Sequence, residues 1–138
     1  MKKILIFFLT SIIIYSSCKD KVTTTCYSII NNSDHKIALK MFNAGNIIDS
    51  LFLIKNDFKD YHYSYRGKGE PMPFFFGDSI DVVYDDTIAI IHTRLNLQLP
   101  SKNLLLMEDF SGGEIGDYEY KYEFIFTETD YNEALEHQ

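Results

Sequence analysis

The chain has 138 residues and a net charge of −7, with 46% hydrophobic and 15% aromatic residues. That apolar content excludes a disordered chain, and the length suits one domain with a moderate core. Cys18 to Met107 carries ten acidic and ten basic residues, whereas Glu108 to Gln138 carries ten acidic residues against the single Lys121. An acidic C-terminal third argues against nucleic acid as a partner and leaves two readings, a solvated acidic face or a seat for a cationic partner.

Lys2 and Lys3 open the chain, and Ile4 to Tyr15 is an apolar run of 12 residues, interrupted by Thr10 and Ser11. A membrane-spanning helix needs about 20 apolar residues. A positive start, a short apolar stretch and a small residue, Ser17, have the layout of a secretory signal. With cysteine next, Tyr15-Ser16-Ser17-Cys18 resembles the lipobox of bacterial lipoproteins, with Tyr15 where that motif usually has an aliphatic residue. The resemblance implies removal of residues 1–17 and attachment of diacyl or triacyl lipid at Cys18. Residues 18–21 are then a tether, and 22–138 form a single domain. Two or more acyl chains hold a protein stably at a bilayer. Lys19, in place of an aspartate directly after the cysteine, resembles the pattern of delivery to the outer membrane, facing either the periplasm or the cell surface. With Cys18 lipidated, Cys26 has no disulfide partner, and as a small hydrophobe it is expected in the core.

Short strands and turn signals follow. Val22 to Ile30 reads as a strand, Asn31-Asn32-Ser33-Asp34 as a turn, and Lys36 to Phe42 as a strand of period two. Asn43-Ala44-Gly45-Asn46 turns the chain into Ile47 to Ile54, so residues 22–54 predict a meander of two hairpins. Tyr61, Tyr63 and Tyr65 alternate with polar residues and run into the loop Gly67 to Pro73. They are either core aromatics or a surface for a protein or glycan. Phe74-Phe75-Phe76 predicts a return to the core. Ser79 to Tyr84 and Thr87 to Thr93 flank an Asp85-Asp86 turn, Asn96 to Leu99 continues the pairing, and Asn103 to Met107 reads as a short strand. Ser111 to Asp117 is predicted as a flexible loop. Tyr118 to Thr127 alternates most clearly, with aromatics on one face and Glu119, Lys121 and Glu123 on the other. Thr127-Glu128-Thr129-Asp130 resembles a capping box and predicts a helix over Tyr131 to His137. This spacing predicts an all-β, immunoglobulin-like sandwich with a short C-terminal helix, or alternatively a partly open β-barrel.

No residue pattern specifies catalysis, a cofactor or a metal. Cys26 with His35 or His92 is the nearest approach to a thiol–base pair, but neither lies in a recognisable context. Asp78, Asp81, Asp85 and Asp86 are dense enough for calcium but read more simply as an acidic turn. Asp49-Ser50-Leu51, Asp78-Ser79-Ile80 and Asp86-Thr87-Ile88 each look like the acceptor triplet of a bacterial O-glycosylation system, which implies Ser50, Ser79 or Thr87 as a glycan site, Thr87 foremost. Asn31 to Asp34, Pro73 to Ile80, Asn103 to Leu105 and Phe124 to Tyr131 are similar to stretches of a group of small uncharacterised Gram-negative envelope lipoproteins. The expected function is a lipid-anchored, non-enzymatic binding module. An acidic inhibitor of a basic envelope-attacking enzyme is the alternative and a hydrolase the third reading.

Overall fold

The computed structural model describes residues 21–95 and 100–138. Lipid attachment at Cys18 and pairing by Asn96 to Leu99 lie outside these residues. Eight strands form two four-stranded sheets packed as a sandwich. One sheet is ordered β4 (Phe58–Arg66), β1 (Val22–Asn31), β8 (Glu119–Phe126), β7 (Ser111–Gly116). The other is β3 (Asn46–Leu53), β2 (Ile37–Asn43), β5 (Ser79–Tyr84), β6 (Ile88–Thr93). The expected all-β sandwich is therefore what the chain forms, and the described strands close no barrel. Every neighbouring pair is antiparallel except β1 with β8, which run parallel. A helix α1 (Glu128–Glu136) follows β8, and Gln138 donates from its side chain to the Ala89 carbonyl at the start of β6.

Alternation places the core. Tyr27 and Ile29 of β1, Phe124 and Phe126 of β8, Ile37, Leu39 and Met41 of β2, and Ile80, Val82 and Tyr84 of β5 are all buried between the sheets. Each such burial contributes roughly 1.5–3 kcal/mol. The same parity sends Cys26 outward, because the inward positions of β1 are Thr23, Thr25, Tyr27 and Ile29. The expected core thiol is instead a half-buried group on the outer face of its sheet.

Three further expectations are corrected. Residues 22–54 are not a meander, since β1 and β2 belong to different sheets and only β2–β3 is a hairpin. The segment between β1 and β2 is an arch. Buried Asn31 holds it by donating to the carbonyls of His35 and Leu53 and accepting from the Ser33 amide and hydroxyl. Ser111 to Gly116 is not a loop but the edge strand β7, paired with β8. Gly112 has φ +125°, and an added Cβ would lie 2.1 Å from the Lys121 carbonyl oxygen, so glycine is what lets β7 approach β8. Asn103 to Met107, expected as a strand, is a turn leading to a single 3-10 turn at Met107–Asp109.

The β2–β3 hairpin turns on Ala44 (φ +49°) and Gly45 (φ +77°), a left-handed pair that favours Asn-Gly over Ala-Gly. Ala44→Asn is expected to raise stability by about 0.5–1 kcal/mol, read as a higher urea midpoint at unchanged slope. A lower midpoint would show that the residue 44 conformation carries no strain.

Candidate functional site

The sandwich has two ends. Leu53 and Phe58 are joined by a short link at the end where β1 finishes, and Asn31 bonds to both Leu53 and Asp57 there. The opposite end holds Val22 beside Arg66, the hairpin turn at Ala44, the start of β5 and the finish of β6. The first described residue, Lys21, is at this second end, its carbonyl accepting from the Gly67 amide. Any tether from Cys18 therefore leaves from there.

At the tether end, the loop after β4 is held by tyrosines and brings Phe74 and Phe75 between the sheets. Tyr27 donates to the Met72 carbonyl, Tyr63 to Phe74 at 2.8 Å and Tyr65 to Glu70 at 2.9 Å. Thr23 donates to the Gly67 carbonyl, and Thr25 accepts from the Met72 amide. Phe74 and Phe75 are buried as expected, but Phe76 is 64% exposed. Tyr61 meets the Phe74 ring edge-on at 5.2 Å. Burial, with Asp49 and Tyr63 nearby, pushes the Tyr61 hydroxyl up to about 12. All three tyrosines of β4 thus face inward. Tyr63 and Tyr65 spend their hydroxyls on the loop, which supports the core-aromatic reading over an open ligand surface.

The outer face of the β4–β1–β8 sheet presents cross-strand rows. Phe58, Ile30 and Ile125 form an apolar row nearest the tether-distal end. Below it lie Asp60, Ser28 and Glu123, then His62, Cys26 and Lys121. Ser28 donates to Asp60 at 2.6 Å, and Cys26 Sγ is 4.0 Å from His62 Nε2. The thiol's neighbour is thus His62, neither of the two histidines expected from the sequence. Period two on adjacent antiparallel strands could have found it, but nothing local announces which strands pair. Partial burial and then Asp60 push the Cys26 thiol up, with Lys121 opposing, so the pair favours a protonated thiol over a nucleophilic thiolate.

At the tether-distal end, His35 sits between two carboxylates, Nδ1 2.6 Å from Asp85 and Nε2 3.3 Å from Glu128. Its ring stacks on Tyr131 at 3.4 Å. The hydrogen bonds from His35 and from the Lys36 amide hold the Asp85 carboxyl below the usual carboxylate range. This contact joins the arch, the β5–β6 turn and the helix start. It does a structural job that the sequence, with its histidines scattered singly, does not reveal. Asp85 (φ +46°) and Asp86 (φ +63°) form the tight turn expected of that pair. Among the described residues no group of three or more His, Cys, Asp or Glu side chains is placed to hold a metal ion.

The acidic C-terminal third is not one solvated face. Asp109 accepts from the Asn103 amide, Glu128 from the Asp34 amide, and Glu133 from Ser101. Asp130 caps the helix and pairs with Lys102 at 2.8 Å. Four of the ten carboxylates therefore hold the chain's own segments together. Of the glycan candidates, Thr87 is exposed beside the Asp85-Asp86 turn, Ser50 is exposed mid-strand in β3, and Ser79 is half-buried at the start of β5. The chain matches no family model, no curated protein and no solved structure.

Proposed function

We propose that this protein is a lipid-anchored component of a bacterial cell envelope whose sandwich is a non-enzymatic binding module. The observation that carries the reading is the lipobox-like Tyr15-Ser16-Ser17-Cys18, three residues ahead of the folded domain. The fold supports it, because the tether leaves one end and the outer sheet faces are left free to meet a protein or glycan. The apolar row Phe58, Ile30 and Ile125 above the polar rows of Ser28 and Cys26 is the face best suited to that task. Outer-membrane placement follows from Lys19 after the cysteine. Thr87, exposed on its turn, is the favoured glycan acceptor. The protonated Cys26 thiol supports a binding role over a hydrolase. An inhibitor of a basic enzyme draws less support, since four of the acidic residues motivating it are engaged within the chain.

Intact mass spectrometry and surface proteolysis in the native host, on wild type and Cys18→Ala, test the proposal. Wild type is expected to carry diacyl or triacyl lipid, and Cys18→Ala to lose it along with membrane retention. Digestion on whole cells would place the module at the surface, and protection would place it in the periplasm. An unlipidated wild type would remove the anchor and the reading with it. A hexose-scale mass increment lost on Thr87→Ala is the expected sign of glycan there.

A further inference from the structure

Large apolar side chains are left exposed at the tether end, and they cluster. Ile47 (58%) and Ile48 (55%) begin β3 beside the Ala44-Gly45 turn, Phe76 (64%) follows the inward loop, and Leu95 (93%) follows β6. Pairing brings Ile47 toward Leu95, because Ile47 faces Phe42, Phe42 faces Ser79 and Ser79 faces Thr93, two residues before Leu95, and Ile48 follows Ile47 at the irregularity in the β2–β3 register. Phe76 belongs to the same rim, since the Asp78 amide donates to the Phe42 carbonyl. An open, mostly apolar cavity of about 640 Å³ lies beside Leu95, lined also by Phe42, Gly45, Asp78, Ser79, Thr93 and Arg94. The two charges lining the cavity are already engaged. Arg94 donates to the carbonyls of Phe75 at 2.6 Å and Leu105 at 3.2 Å, and Asp78 accepts the Ala44 amide at 2.8 Å.

We infer that this rim, Ile47, Ile48, Phe76 and Leu95, seats the domain on the bilayer that holds its anchor. The inference rests on the lipid-anchor reading and adds an orientation to it. Cys18 is three residues before Lys21, a reach of at most about 10 Å, so a lipidated cysteine brings this end, and not the other, to the headgroups. A patch of exposed aliphatic and aromatic side chains held at that distance lowers its free energy by burying apolar area at the headgroup–acyl boundary. Because the rim side chains are uncharged and the Asp78 and Arg94 charges beside them are engaged within the protein, the contact made by the rim is apolar and is expected to persist on zwitterionic lipid and in high salt. Seating by the rim stands the strands away from the membrane and leaves the outer face carrying Phe58 and Cys26 open to a partner.

The chain contains no tryptophan, so one indole reports one position. The test uses the chain from Cys18 onward, which holds every described strand, as a Cys26→Ser variant with a dipalmitoyl maleimide lipid coupled at Cys18, in phosphatidylcholine vesicles. In this form Phe76→Trp is expected to emit at shorter wavelength than in detergent-free buffer and to lose at least half its intensity with acyl-brominated lipid. Phe58→Trp, at the far end, is expected to show neither change. Leu95→Trp repeats the rim measurement should Phe76→Trp fail to fold. Unquenched indoles at both rim positions would overturn the inference, as would equal quenching at rim and far end, which means a domain lying on its side. The lipid is supplied chemically, so absence of lipid on the native protein would sink the anchor reading while leaving this result to stand or fall separately.

Discussion

Asp130→Ala is expected to destabilise the protein by about 3 kcal/mol and to loosen the C-terminal helix from the sandwich. One oxygen, Oδ2, joins the helix N-terminus to Lys102. It accepts the Thr127 amide at 2.7 Å, the Thr127 hydroxyl at 2.7 Å and Lys102 Nζ at 2.8 Å. The first two close the helix N-terminus, a role worth about 1 kcal/mol. The third fixes the ammonium that also donates to the Ile125 carbonyl at 2.7 Å and lies 5.3 Å from the Phe124 ring centre. The Asp130 carboxylate is 9% exposed, so removing it strands a partly buried cation. Lys102 remains 35% exposed, and water reaching it keeps the cost toward the lower end of the usual range. Lys102→Met in the Asp130→Ala background removes that stranded charge and should recover about 1 kcal/mol, leaving mainly the lost cap and the lost Ile125 contact. Urea unfolding followed by circular dichroism reads both. A single-variant loss below about 1 kcal/mol would mean that the cap alone matters and the ion pair contributes nothing.

The strands that announce themselves are those whose two faces differ in chemistry. β8 alternates aromatic and charged residues, and Tyr122, Phe124 and Phe126 do line the interior. β5 lies where the Ser79 to Tyr84 pattern puts it. What the pattern could not carry is partnership between distant segments. The parallel pairing of β1 with β8 joins residues nearly a hundred positions apart, and no local signal encodes it. That pairing puts Lys121 beside Cys26, and β4 on the other side brings His62, so the outer-face row was illegible even though each strand could be seen. β7 was illegible for another reason. Its sequence, Ser-Gly-Gly-Glu-Ile-Gly, has little strand propensity, and it forms because β8 offers a backbone edge that only small residues can approach closely. Tyr118 shows the same limit at one residue. It continues the aromatic alternation yet sits at φ +62° in the β7–β8 turn, with Lys21 and Lys68 near its ring, because the hairpin must reverse there. The course of the loop that brings Phe74 and Phe75 inward depends on hydroxyls at the tips of Tyr27, Tyr63 and Tyr65, which periodicity counts only as apolar rings.

His92 makes the fold acid-sensitive in a window set by its own burial. The ring is 2% exposed on β6, and its Nδ1 accepts the Leu104 amide at 2.9 Å. Burial drives its pKa from 6.5 down to about 3. Lys102 acts in the same direction and Asp130 opposes. In the unfolded chain the imidazole binds a proton near its ordinary value, so the unfolded state takes up protons that the folded state refuses. The stability due to the neutral ring is therefore whole above about pH 6.5 and falls by about 1.4 kcal/mol per pH unit toward pH 3, a loss of about 3 kcal/mol by pH 4.5. Asp85 and Asp34, held below the usual carboxylate range by His35 and Lys55 respectively, lose their contributions only at lower pH, as their folded-state carboxyls take up protons. His92→Asn isolates the effect, because Asn Oδ1 can accept the Leu104 amide and does not titrate. The variant should start about 1–2 kcal/mol less stable at pH 7, from lost volume, and the gap should close or reverse by pH 4.5. Urea midpoints at the two pH values decide it, and parallel losses in wild type and variant would assign the acid sensitivity elsewhere. The segment at stake also ties this end of the fold together. Asn103 donates to the Thr93 carbonyl and Leu105 accepts from Arg94, so protonating His92 removes the Leu104 acceptor from the support under Arg94 and the rim beside it. Acid is thus expected to release the tether end of the sandwich before the β1–β8 pairing that spans its core.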